Sequence, residues 1–193
     1  MTGNDIVDKF TAAAESNWKR KGFLEKLFTG QEQQLIGEAS IPEDMLWRLW
    51  TMKESAYKIY TRQFGGRFFA PHKINCTILS NTSGCVTLNT INYQTITRST
   101  KNYIYSMARL DKNAQQAFLN CCFRLPQWTY AKQQAFIYDN IINQYAVFTG
   151  TIKNGLSLKK DKDGIPFLSC QGDMSVIPVS ITHHGHFAAF TIY

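Results

Sequence analysis

Ser40-Ile41-Pro42-Glu43-Asp44-Met45-Leu46-Trp47-Arg48-Leu49-Trp50-Thr51-Met52-Lys53-Glu54-Ser55-Ala56-Tyr57-Lys58-Ile59-Tyr60 reads as one long helix. Ser40 stands where an N-cap would sit, Pro42 takes the first helical position, and Glu43 is placed for a capping box. Gly65-Gly66 supplies the stop, because glycine reaches the left-handed backbone that ends many helices. Leu46, Leu49, Ala56 and Tyr60 recur at helical spacing, which predicts that this stripe is buried. Trp47, Trp50 and Glu54 share another stripe, so an acid lies among indoles rather than on a plain solvated face. Glu54 also precedes Lys58 by four residues, the favourable order for a helix-surface ion pair worth a few tenths of a kcal/mol.

Working outward, Thr11 to Leu27 reads as a helix interrupted near Gly22, and Ile6-Val7 as a strand with Asp5 at its start. Downstream the texture changes to strands at Thr77-Ile78-Leu79, Cys85 to Leu88 and Tyr103 to Ala108, the first two separated by Asn, Ser and Gly. A second helical stretch follows, short from Ala114 to Phe123 and longer from Pro126 to about Tyr145, closed by Gly150. Strands return at Gly155 to Leu158, Ile165 to Leu168, Ile177 to Thr182 and Phe187 to Tyr193. Helices followed by strands, twice, predict an α+β fold of two lobes, residues 1–110 and 111–193, with the seam near Asp111.

The 193 residues are 44% hydrophobic and 18% charged, which excludes a disordered chain and allows a real core. No run approaches the length a membrane helix needs, and Met1 to Asp8 carries two acids and no apolar signal core, so we expect a cytoplasmic protein. Five cysteines without CxxC spacing fit free thiols in a reducing compartment. The net charge is +7, and no acid occurs between Ser55 and Leu110, where Lys58, Arg62, Arg67, Lys73, Arg98, Lys101 and Arg109 all fall. Such a patch attracts an anionic partner: nucleic acid, an anionic membrane, a phosphorylated small molecule or an acidic protein. Nucleic acid rests on charge alone, since no RNP, zinc-finger or helix-turn-helix pattern is present.

Three places could carry chemistry: Asp5, Glu54 and His183-His184-Gly185-His186. Singly, each has a plain structural reading. Asp5 could be a surface acid, Glu54 a solvated partner of Lys58, and the histidines lack a spaced third ligand for zinc.

Together with their neighbours they resemble a family. Trp50-Thr51-Met52-Lys53-Glu54-Ser55-Ala56-Tyr57-Lys58 matches the Trp-x-x-Lys-Glu-(Ser/Ala)-x-x-Lys helix of the 4′-phosphopantetheinyl transferases. Gly3-Asn4-Asp5-Ile6 resembles the family's Gly-x-Asp strand, and Lys26-Leu27-Phe28-Thr29-Gly30-Gln31-Glu32 its Phe-(Ser/Thr)-x-x-Glu segment. Gly164-Ile165-Pro166 and Val179-Ser180-Ile181-Thr182-His183-His184-Gly185 resemble its Gly-Lys-Pro and Ser-x-Ser-His elements. In two-lobed members the Ser-His element closes the first lobe. Here it ends the chain, so the sequence resembles a two-lobed transferase with its lobes in the opposite order.

The resemblance implies two similar α+β lobes in pseudo-twofold relation, with the active site in the cleft between them. It implies a holo-acyl-carrier-protein synthase type of transfer, moving the 4′-phosphopantetheine arm of coenzyme A to a serine of an apo carrier protein with Mg2+, and releasing 3′,5′-adenosine bisphosphate. Such carriers, acidic proteins of fatty acid, polyketide or peptide synthesis, would meet a monomer that uses neither nucleic acid nor membrane. Asp5 and Glu54 would hold the metal, and Glu54, directly or through a water on that metal, would take the serine proton. Lys58 would steady the phosphates, and His183, Thr182 and Lys53 would contact coenzyme A. A catalytically silent binder of the same partners is the alternative. Three departures stand out: Asn4 replaces an apolar residue; Val7 replaces a second acid, leaving Asp8 or water to complete the metal shell; and Ile165 replaces a lysine, so that one phosphate contact is lost or supplied by Lys160 or Lys162.

Overall fold

The structure, a computed structural model, describes residues 1–66, 70–110, 118–171 and 176–192. The expected seam at Asp111 lies outside the described residues, as does Arg67. Strand β1 (Thr2–Asp8) leads into α1 (Lys9–Glu15), α2 (Phe23–Leu27), α3 (Gly30–Glu38) and the long α4 (Pro42–Phe64). Strands β2 (Asn75–Ile78), β3 (Ser83–Leu88), β4 (Ile91–Ser99) and β5 (Tyr103–Leu110) follow. The second series is β6 (Leu119–Arg124), α5 (Tyr130–Thr149), β7 (Leu156–Lys160), β8 (Pro166–Cys170), β9 (Val176–His184) and β10 (Phe187–Ile192).

Two five-stranded antiparallel sheets result, ordered β1-β5-β4-β3-β2 and β6-β10-β9-β8-β7. Both orders read first, fifth, fourth, third, second, and in both a long helix connects the first strand to the second. The fold is α+β with two like-built lobes. Helix α4 packs on the first sheet through Met52, Ala56 and Ile59 against Val86, Leu88 and Ala108. Helix α5 packs on the second through Ile137 and Ile141 against Leu168, Val179 and Phe190. Ile6, Tyr105 and Met107 of the first sheet meet Ala189 of the second, and β1 lies against β9 and β10.

The structure corrects several local expectations. Residues from Leu119 to Phe123 form a strand rather than a helix, paired so that Phe187 faces Arg124 and Ala188 faces Phe123. A short apolar run is compatible with either element, and here the ladder to β10 decides. Helix α4 is capped by Ile41, not Ser40, with no side-chain cap bond; Glu43 instead accepts from Trp47 Nε1 at 3.4 Å. The capping box lies upstream at Thr29 and Glu32, where it starts the unforeseen helix α3. Strand β4 was also unforeseen. Its inward positions include Thr95 and Thr97 while Ile96 is exposed, which inverts the usual alternation. The Thr97 hydroxyl is partnered, its Oγ1 2.9 Å from Ser106 Oγ and that oxygen 2.8 Å from Thr51 Oγ1, whereas Thr95 Oγ1 is buried without a hydrogen-bond partner among the described residues.

Candidate functional site

The site begins with a close approach. Gly3 of β1 lies so near α4 that a Cβ there would fall 2.1 Å from the Ser55 carbonyl oxygen. Only glycine lets the strand press against the helix here. Two residues on, Asp5 points the same way, toward the helix face that presents Glu54 and Lys58 one turn apart. Lys58 Nζ donates to the Asn4 carbonyl at 2.7 Å and to Asp5 Oδ1 at 3.1 Å. From β9, Thr182 Oγ1 donates to the same Asp5 oxygen at 2.8 Å. The Asn4 N–H donates to Ser180 Oγ at 3.2 Å, so both sheets grip β1 at this point.

Asp5, Trp47, Trp50, Glu54, Tyr57 and His183 line a cavity of about 770 Å³. Burial pushes the Glu54 carboxyl up to about 7; the Asp5 charge adds to the rise and Lys58 opposes it. Burial also lowers His183, helped by Lys58 and then His184, which favours its neutral form near pH 7. His183 is shared with a smaller cavity of about 220 Å³, walled also by Tyr130, Gln134, Tyr138, Lys160 and Gly164. Lys160, not Lys162, therefore shares this cavity with His183.

Asp5 and Glu54 are oxygen donors facing one cavity, and the repulsion that raises Glu54 would be relieved by a divalent cation. Among the described residues no group of three or more His, Cys, Asp or Glu side chains is placed to hold a metal. A cation here would take two carboxylates and complete its shell with water and substrate oxygens, the pattern of magnesium.

Other expected residues sit elsewhere. Lys53 is fully buried on another face of α4. Its Nζ lies 2.6 Å from Glu32 Oε2 and donates to the Leu27 and Pro71 carbonyls at 2.9 and 2.8 Å. A contact from Lys53 to coenzyme A is thereby corrected to a structural ion pair. The signal was in the sequence, since Lys53 falls between Leu49 and Ala56 on the buried stripe. The Phe28-Thr29-x-x-Glu32 segment serves the same pair, with Phe28 buried and Glu32 also accepting from Cys76 N at 2.8 Å.

Asp8 does not turn toward Asp5. It caps α1, accepting from Phe10 and Thr11 N–H, and it binds the β9–β10 turn, where His186 N and Nδ1 both lie 2.8 Å from Oδ2. His184 Nδ1 accepts from Asp8 N at 3.0 Å. Gly185, at φ +54°, leaves no room for a Cβ, which would fall 2.2 Å from Thr11 Oγ1. The histidine cluster thus divides its work: His183 and His184 line the cavity, while His184 and His186 also clamp the lobes together through Asp8. Of the basic residues after Glu54, Lys58 reaches Asp5, and Arg62 braces β1 and β9 through the Thr2 and Val179 carbonyls. A wall the sequence reading missed is built from Arg20, Lys21, Phe23 and Lys26, around a third cavity of about 580 Å³ that shares Trp47 and Trp50 with the site. The run Lys19-Arg20-Lys21 is its sequence signal.

No helix among the described residues is long and apolar enough to cross a membrane. A family model described as the 4′-phosphopantetheinyl transferase superfamily matches residues 1–135. That span contains Gly3, Asp5, Glu32, Glu54 and Lys58 and stops short of Thr182 and His183. No curated protein matches the chain.

Proposed function

The chain belongs to the 4′-phosphopantetheinyl transferase superfamily, and on that premise we propose that it moves the phosphopantetheine arm of coenzyme A onto a serine of an apo carrier protein. One observation carries the reading: Asp5 and Glu54 from the matched region line the same cavity as His183 from the far end of the chain. The serine oxygen would attack the pantetheine-side phosphorus, and the bond to the bridging oxygen would break to release 3′,5′-adenosine bisphosphate.

Asp5 and Glu54 would hold Mg2+, which when bound offsets the charge of the pyrophosphate. Glu54 is the base. It would take the serine proton directly or through a water between the two oxygens. Lys58, already anchored at Asp5 and Asn4, presents its charge to the phosphates. Neutral His183 and cationic Lys160 share the smaller cavity, which would take the nucleotide end, with Lys160 standing in for the lysine replaced by Ile165. The carrier would approach over the basic wall at Arg20, Lys21 and Lys26, matching an acidic surface. Both lobes come from one chain, so a cytoplasmic monomer would suffice.

The test incubates the protein with Mg2+, coenzyme A and a panel of apo carriers from fatty acid, polyketide and peptide synthesis, followed by intact-mass measurement. Gain of the arm on a carrier is expected. Binding of coenzyme A and carriers with no mass gain on any of them would establish the silent binder instead.

A further inference from the structure

The resemblance implied that Thr182 touches coenzyme A. Its surroundings indicate otherwise. Thr182 is only 6% exposed and lines neither cavity that meets at His183. Its hydroxyl is spent on Asp5 Oδ1, at 2.8 Å, across 177 positions of sequence. The same oxygen takes Lys58 at 3.1 Å, so two donors from different elements converge on one carboxylate oxygen. No hydrogen bond among the described residues reaches Oδ2. A carboxylate with one oxygen pinned and the other open is oriented for a further electropositive partner.

We propose that Thr182 is a positioning residue: its hydroxyl fixes the Asp5 carboxylate so that Oδ2 faces the cation site, and that alignment exists only while β9 is docked on β1. The inference rests on the transferase reading above. Thr182 stands at a position where the family often has serine, and the change serves this role, because a β-branched side chain has fewer χ1 choices and aims its hydroxyl more strictly. Asp5 is thereby tied to both lobes, through Lys58 on one side and Thr182 on the other. Loosening β9 would release the metal-holding carboxylate.

The experiment compares wild type with Thr182→Val, Thr182→Ser, Asp5→Asn and the Thr182→Val/Asp5→Asn double variant, all in the full chain. Urea unfolding should show that the two single changes are not additive, the coupling amounting to about a tenfold factor in the unfolding constant. Mn2+ binding without substrates, followed by water-proton relaxation, should weaken about five- to tenfold in Thr182→Val and recover to within about twofold in Thr182→Ser. Coenzyme A affinity in EDTA should stay within about twofold of wild type in Thr182→Val and Thr182→Ser, because the hydroxyl does not face that ligand. Additive unfolding effects would overturn the positioning role, as would unchanged Mn2+ affinity with weakened coenzyme A binding. Should Thr182→Val not fold, Thr182→Ala takes its place in the same measurements. A wild-type protein that binds no Mn2+ and transfers no arm would sink the transferase reading instead, while the unfolding cycle still reports on the Thr182–Asp5 contact.

Discussion

Lys53 and Glu54 are neighbours in sequence with opposite surroundings: Lys53 ends in a sealed ion pair 2.6 Å from Glu32, whereas Glu54 opens into the cavity it shares with Asp5 and His183. One residue along a helix turns the side chain by about 100°, enough to pass from the core stripe to the cavity stripe. The motif Lys53-Glu54 therefore joins a core residue to a cavity-lining one.

Lys53→Met should destabilise the fold by about 3–5 kcal/mol, because it strands the buried Glu32 carboxylate without its cation. Pairing it with Glu32→Gln should return part of that loss. In both variants, at temperatures where they remain folded, the KM for coenzyme A should match wild type. Urea denaturation and steady-state kinetics check the two halves of this prediction.

Glu54→Gln should abolish transfer and yet stabilise the metal-free protein at high pH. The Glu54 carboxyl sits at about 7 in the folded chain against an ordinary 4.5, so the fold favours its protonated form. That contribution is fully present below pH 4.5 and is lost as pH rises through 7. Thermal melts in EDTA should show the variant gaining on wild type between pH 5 and 8. Equal melting curves across that range would refute the burial of this charge.

Gly3→Ala tests whether the strand–helix approach sets the site. A methyl 2.1 Å from the Ser55 carbonyl must push β1 off α4, carrying Asp5 away from Glu54. A displacement of about 1 Å can cost on the order of a hundredfold in rate. We expect kcat to fall by about that factor, more steeply than stability falls, as read from single-turnover assays alongside circular dichroism melts.

The Asp8–His186 clamp should be acid-labile. Although burial alone would raise Asp8, the hydrogen bonds from His186 and Thr11 outweigh it and hold the carboxyl at about 2, against an ordinary 3.8. Its stabilisation is present above pH 3.8 and is lost as pH falls through 2. Asp8→Asn should therefore destabilise by about 2 kcal/mol at pH 6 and lose most of that difference at pH 2. Urea titrations at the two pH values check the sign.

Much of this architecture was legible in the chain. Pro42 and Gly65 bracket α4, and the nine residues from Trp50 to Lys58 identify the family that the match over residues 1–135 bears out. Strand β4 was hidden because two of its inward positions are threonines, Thr97 joining Ser106 of β5, which in turn meets Thr51 of α4, contacts that no local pattern records. The strand at Leu119 to Arg124 was misread for a related reason, since its identity is conferred by a partner more than sixty residues away.

The sequence by itself determined the family and an α+β fold of two like lobes, because helix periodicity, glycine punctuation and motif spacing are local properties of the chain. Only the tertiary structure decided which residues meet. It turned Lys53 inward, set Asp8 to clamp the lobes, put Lys160 in one cavity with His183, and brought Thr182 onto Asp5. Those outcomes depend on sheet register and on how β1 lies against β9, and contacts across 177 positions are set by packing rather than by any local preference.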